Sequence, residues 1–453
     1  MTRVLVPSGA LGLNYDIVAL ERGLAEKPDI IAIDGGSTDS GPAYLGRGMS
    51  KYARASTKTE WKGLMEARAK AGVPLVIGTA GTCGTDQTVD WLLSITKEIA
   101  EETGAKLKVA TLRCSQDPER LVEALNQGRI RPLDPAPEIS PEILRDCTNI
   151  VALAGAEQIQ AALDTGADIV IAGRTTDTAI IAALPLRNGA NSGAAWHGAK
   201  IGECGALCAT NPQSGVLMVE FDDNGFTVAP MAESSRSTPH TVSAHMLYEN
   251  SNPFILFEPG GHLDVTEAKY QAKDDRSVRV TGSKWVPSDT YTVKLEGARQ
   301  AGYQYVIPTL IRDARYVENI STWCDDITTR CREKVMQRLN LAAEDFSIEL
   351  RVIGRDATLG ALENRAETAA EVGVMGIVTA QSDELASEIT KTLNPYLLHH
   401  PLTQEEEQPT FAFPFSPAEL RRGECHEFCL NHVLVLDYPM EAFRLEVVEV
   451  GHG

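Results

Sequence analysis

The sequence predicts an α/β fold: a doubly wound, mostly parallel sheet with a smaller C-terminal α+β domain. Two observations carry this. The first 185 residues alternate short, wholly apolar runs with longer helix-period stretches, and the rhythm changes after about residue 186. Wholly apolar strands separated by helices belong to sheets covered on both faces. The apolar runs are residues 3–6, 29–34, 74–77, 107–112, 149–153 and 168–172, with helical patterns at 57–71 and 87–103 among the intervening segments.

Later elements follow in order. Residues 188–205 are rich in Gly and Ala and read as a loop entering a tightly packed helix. Residues 218–228 read as two strands around Asp222-Asp223-Asn224-Gly225, a hairpin turn. Thr238 and Pro239 suit the N-cap and first position of a helix. From about Val278, strands at 291–295, 347–353 and 374–379 accompany helices at 320–339 and 383–393. An acidic linker at 404–409 and a last apolar strand at 432–436 complete the chain. The expected domains are residues 1–275, 276–400 and a C-terminal segment, 401–453.

Charge and composition narrow the function classes. Lys and Arg number 42 against 62 Asp and Glu, a net charge of −20 with no basic run, so neither nucleic acid nor an anionic membrane is an expected partner. The first residues, MTRVLVPSGALG, lack the long apolar stretch of a signal peptide, and no run of about 18 apolar residues is present. Nine Cys, an odd count, are too sparse for a disulfide scaffold. These features point to reduced thiols and a cytoplasmic setting.

Three strand ends share one grammar. Residues 29–34 run into Gly35-Gly36-Ser37-Thr38-Asp39, residues 74–77 into a loop with Gly81 and Thr82 that ends at Asp86, and residues 168–172 into Gly173-Arg174-Thr175-Thr176-Asp177. In a parallel sheet such ends share the carboxyl edge, where ligands bind. Glycine allows close backbone approach, and N–H groups at helix N-termini receive anions. Thr-Asp before a helix is also an ordinary N-cap pair. Asp34 ends a strand, where an ionised carboxylate is costly unless paired or used. Arg174, directly after a buried strand and a glycine, suits bidentate binding of a substrate carboxylate, with an ion pair to a neighbouring Asp as the structural alternative.

Other groupings carry weaker signals. His197, Lys200 and Cys204 are spaced to share a helix face, with Glu203 beside them; a small-residue packing helix is the alternative. His240, His245 and Glu249 form no HExxH spacing. His262 and Asp264 offer an acid–base pair or a solvated turn, and Lys294 and Glu296 share a strand face where they can pair with each other. Cys425, His426 and Cys429 supply at most three soft ligands, one short of a structural zinc site. The loop from Pro7 to Gly12 followed by Asp34 echoes a dinucleotide unit but lacks its full glycine spacing, which leaves NAD or flavin a minor alternative.

At these motifs the chain resembles the acyclic terpene utilisation family. The segments are PSGALG at 7–12, IDGGSTDSGPAYLG at 33–46, IGTAGTCG at 77–84, AGRTTDTAI at 172–180 and HGAKIGECGA at 197–206. TPHTVSAHMLYENSNP at 238–253, PGGHLD at 259–264, YTVKLEGA at 291–298, FPFSPAELRRG and LNHV at 430–433 continue the match over nearly the whole chain. The resemblance implies breakdown of branched or small carboxylic acids or their CoA thioesters, without an assigned reaction.

The leading expectation is a lyase, hydratase or isomerase. Gly36, Ser37, Thr38, Gly81, Thr82, Arg174, Thr175 and Lys200 would bind the substrate, and Asp39, Asp177, His197 and Glu203 would move protons. A divalent Mg or Mn ion, if used, would fall to Asp34, Asp39 and Asp86. The alternatives are a non-catalytic metabolite-binding or scaffold subunit and a dinucleotide-dependent oxidoreductase. A small acidic metabolite or acyl-CoA is the expected ligand, with a homo-oligomer and a small partner subunit as further expectations.

Overall fold

The computed structural model describes residues 1–365 and 369–451. The chain divides into two compact units, Met1–Arg299 with Phe428–Gly453, and Gln300–Glu427. The strand Tyr291–Ile311 contributes its first part to one and its second part to the other.

The first unit is mixed α/β. Among the described residues its main sheet has ten strands. The centre is parallel, in the order Thr2–Val6, Ile30–Asp34, Leu75–Gly78, Ile169–Ala172, Leu107–Arg113. Both flanks are antiparallel. Leu217–Asp222 pairs with the first of these strands and continues through Gly225–Pro230, Val278–Thr281 and Lys269–Ala272. Arg444–Val450, from the end of the chain, pairs with Leu107–Arg113. The expected Asp-Asn-Gly hairpin is present, with Asp222 accepting hydrogen bonds from the N–H groups of Asn224 and Gly225.

The uniform apolarity of the central strands has a direct cause. Alternate residues point to opposite faces, and each face carries its own core. Val4, Ile30, Ala32, Val76 and Val170 pack on one side with residues of the helices Ala156–Asp164, Ala179–Arg187 and Ser192–Gly202. Leu5, Ile31, Ile33, Ile77 and Ile171 pack on the other with Leu20, Trp61, Leu64, Leu92 and Ile95 of Ile17–Ala25, Arg54–Ala71 and Asp86–Thr103. The apolar run at 149–153 forms a strand too, Cys147–Ala152, but it lies outside the ten-stranded sheet and pairs antiparallel with residues 295–299.

Capping follows the sequence. Thr238 accepts from Thr241 N–H at 3.1 Å and Pro239 opens the helix Pro239–Ala244. Thr85 caps Asp86–Thr103. In the second unit, the helices Ile320–Leu339 and Asp383–His399 cover antiparallel strands Phe346–Ile353 and Val372–Ala380, with Trp323, Ile327, Ile348, Val378 and Leu393 in the core.

The strand ends that form the site are held at backbone distance. A Cβ on Gly35 would lie 2.3 Å from the carbonyl oxygen of Thr79 and 2.9 Å from that of Gly78. Neither neighbour is a side chain that can rotate away. Gly35→Ala is therefore expected to lower stability by about 2–3 kcal/mol, read from the urea midpoint; an unchanged midpoint would mean the two strand ends lie further apart than described.

Candidate active site

The carboxyl ends of the parallel strands surround a cavity of about 380 Å³. Its wall combines loops far apart in sequence: Ser8 to Ala10 after the first strand, Asp34, Gly36, Ser37 and Asp39 after the second, Thr82 after the third, and Asp177 after Ile169–Ala172. Cys204, Tyr248 and Glu249 close another side, and Lys51 and Tyr52 contribute from the segment before Arg54–Ala71. Parallel strands bring their loops to one edge, so this convergence follows from topology.

The walls are conformationally strained. Thr82, in the wall, and Thr79, buried behind it, sit at φ 78° and 49°, a region that β-branched residues avoid. Asn14 and Glu249, which also line the cavity, have φ 63° and 50°. Strain of this kind costs about 1–3 kcal/mol per residue and concentrates at functional sites. Here it is held by backbone bonds: Thr79 N–H donates to Gly173 O at 2.8 Å, Ala80 N–H to Ala172 O at 3.0 Å, and Thr82 N–H to Thr79 O at 3.0 Å.

Arg174 is buried behind this wall. Its Nε and Nη2 donate to the two carboxylate oxygens of Glu296 at 2.9 and 3.1 Å. Nη1 donates to Thr79 Oγ1 at 3.2 Å and lies 3.7 Å from Asp177 Oδ1. Thr38 Oγ1 donates to Glu296 at 3.0 Å. The guanidinium fork expected for a substrate carboxylate thus grips a carboxylate of the chain itself, and Arg174 does not line the cavity. Burial opposes ionisation of Glu296, but the charge and hydrogen bonds of Arg174, with Lys294 and Thr38, hold its carboxyl below the usual range.

The acids facing the cavity behave oppositely. Burial raises Asp34 well above the normal carboxyl range; Asp177 adds to the rise, while Arg174 and the N–H groups of Gly35 and Gly36 oppose it. Asp177 is pushed up to about 6 by burial, with Arg174 opposing and Asp39 and Glu249 reinforcing. Deeper in, Lys200 pairs with Glu203 and donates to the Tyr248 carbonyl at 2.9 Å. Burial pushes Glu203 up to about 8 despite Lys200. Glu258 rises to about 7 by burial although it accepts from Thr178; its Oε2 has no hydrogen-bond partner among the described residues.

Other expected site residues lie elsewhere. His197 is fully buried between Ser283 Oγ, 2.7 Å from Nδ1, and Tyr270 OH, 3.2 Å from Nε2, and burial holds it neutral by lowering it to about 3. The helix carrying it ends at Gly202, so Cys204 falls beyond the helix face predicted for it and instead lines the cavity. Asp39 is exposed at the cavity wall and accepts from Ser37 Oγ at 2.7 Å. Asp86 does not join Asp34 and Asp39: it accepts from Ser115 N–H at 3.1 Å and pairs with Arg444. Thr175 is buried, its N–H directed at Thr79 Oγ1 at 3.4 Å. Gly81, at φ +65°, packs against Thr88 and lets the turn close. Among the described residues no group of three or more His, Cys, Asp or Glu side chains is placed to share a metal ion.

Sequence reasoning passed over Glu258, Tyr248 and Tyr52, and read Glu296 only as a partner for Lys294. One signal was available for Glu296: a single acid between apolar residues of a strand, Leu295-Glu296-Gly297. Such an acid needs a buried cation.

Two tests follow. Glu296→Gln removes the countercharge of a buried guanidinium and is expected to cost about 3–5 kcal/mol; the double substitution Arg174→Met with Glu296→Leu is expected to recover part of this, measured by thermal unfolding. For Asp177 the folded carboxyl titrates near 6, above the ordinary value of 3.8. The native state therefore binds more protons than the unfolded state between about pH 4 and 6, so Asp177's contribution to stability falls as pH rises through that window. Its side chain retains 23% exposure, which discounts the effect. Asp177→Asn should be more stable than wild type at pH 8 by about 1–2 kcal/mol and indistinguishable near pH 4 by urea unfolding.

A model of the acyclic terpene utilisation family protein AtuA matches residues 49–416. No curated protein and no solved structure matches the chain. The family match spans both compact units and includes the turns that carry Thr82, Arg174 and Asp177, so this chain belongs to the acyclic terpene utilisation family.

Proposed function

We propose that the chain is a proton-transfer enzyme of the lyase, hydratase or isomerase type, acting in the catabolism of a small branched acyl compound. The observation that supports this above all is the pair Asp34 and Asp177, both lining one cavity and both pushed above the ordinary carboxyl range. Two carboxyls with different environments divide acid and base roles at neutral pH. Asp177, near 6, is ionised at pH 7 and serves as the base. Asp34, more deeply buried and raised well above the ordinary carboxyl range by burial and by Asp177, serves as the acid.

The charge of the wall bears on substrate form. Besides Asp34, the acids Asp39, Asp177 and Glu249 line the cavity, with Lys51 as the one cation among the described lining residues, while Arg174 is occupied by Glu296. A free carboxylate meets repulsion there; an uncharged thioester carbonyl does not. The reacting group is accordingly an uncharged carbonyl of thioester type, whose α-proton Asp177 removes. The hydroxyl- and amide-rich turns around Ser37 and Thr82 then face the oxygen that gains charge.

Exchange of α-protons with deuterated water, using a panel of short branched acyl-CoA thioesters and mass spectrometry, tests this. Wild type is expected to exchange, and Asp34→Asn and Asp177→Asn to lose about 100-fold or more. The rate should rise with pH through about 6 as Asp177 ionises. Exchange unaffected by both substitutions would leave the cavity a binding site alone.

A further inference from the structure

Away from the acid cavity, two of the nine cysteines meet. Cys147 opens the strand Cys147–Ala152, and Cys429 lies 282 residues further along the chain. Their Sγ atoms are 2.9 Å apart, and the residues are 8% and 5% exposed. Both are held on the same strand. Cys147 is the register partner of Arg299, and Cys429 N–H donates to Gly297 O at 3.0 Å. Gly297 is what leaves room: a Cβ there would lie 3.3 Å from Cys147 Sγ and 2.7 Å from Leu430 Cδ1. Two thiols brought into contact by backbone pairing and a missing side chain need little rearrangement to bond, since bonded sulfurs lie about 2.05 Å apart.

We infer that Cys147 and Cys429 form an oxidisable pair that closes as an intramolecular disulfide when a small disulfide reaches it. The chemistry balances as two exchanges. The thiolate of one cysteine attacks a small disulfide RSSR, forms a mixed disulfide and expels RS⁻. The thiolate of the second attacks the protein sulfur of that mixed disulfide, forms the Cys147–Cys429 bond and expels the second RS⁻. Two protein thiols are oxidised, one RSSR is reduced to two RSH, and both protons go to the leaving thiolates. The hydrogen bond with the Cys429 thiol, and then burial, raise the Cys147 thiol well above the ordinary range, so the first exchange is slow and is speeded by opening of this region.

The bond would tie the return of the chain at 428–430 to the strand Cys147–Ala152, which pairs with the strand that carries Glu296, three residues before Arg299. It closes a very long loop, which restricts the unfolded chain strongly.

The test uses the full chain and oxidised glutathione. After incubation without denaturant, titratable thiols under denaturing conditions should fall from nine to seven. Non-reducing peptide mapping should show the Cys147–Cys429 crosslink, and the melting temperature should rise by about 5 °C or more. Cys429→Ser, with eight thiols, should keep all eight and show no melting shift. Glutathione adducts or crosslinks elsewhere without a Cys147–Cys429 peptide would overturn the inference, as would nine thiols persisting after prolonged incubation. The wild-type peptide map decides the matter even if the Ser variant does not fold.

Discussion

The buried pair of Arg174 and Glu296 is the interaction on which the site rests. Arg174 leaves the end of a parallel strand, and Glu296 comes from a strand more than a hundred residues later. Thr38 and Thr79 bond into the same pair from two other strand ends. One ion pair thereby fastens four chain segments. A pair of this kind is expensive to desolvate and confers little net stability, but its two-pronged geometry fixes position. Its value here is placement of Asp177 at the cavity, with Thr79 fixed behind the wall.

That placement has a thermodynamic counterpart. With Arg174 committed to Glu296, its charge only partly offsets the burial of Asp34 and Asp177, and both carboxyls stay above their ordinary range. Thr82, at positive φ, adds further cost in the same wall. Unfavourable backbone angles and crowded acids gather around one cavity, while the two cores flanking the sheet are conventional. Such local conflict against a consistent background is what a site shaped for chemistry displays.

Much of this was legible in the chain. The alternation of apolar runs and helical periods identified the α/β character, and the shared Gly, hydroxyl, Asp grammar of three strand ends marked loops that converge at the cavity. Asp34, Ser37, Asp39, Thr82 and Asp177 all reach it. Asp86 shares the grammar but not the place. Gly84 packs against the backbone of Arg174, and the chain turns toward Ser115 and Arg444 instead. His197 was drawn by its helix spacing into a candidate proton relay, whereas Gly198 beside it packs on Phe221 and the imidazole is enclosed by Phe226, Tyr270 and Ser283. Spacing defines a helix face but not what that face meets.

The sequence by itself determined the short-range facts: which runs are strands, which residues cap helices, and where glycine permits a sharp turn. These depend on neighbours within a few positions, through periodicity, side-chain bonding to nearby N–H groups and steric limits on φ. Only the tertiary structure decided that Arg174 serves Glu296 rather than a ligand, that Asp34 and Asp177 share a cavity, and that Cys147 touches Cys429. Charge, desolvation and contact act through space, and residues hundreds of positions apart become neighbours only once the strands have chosen their order.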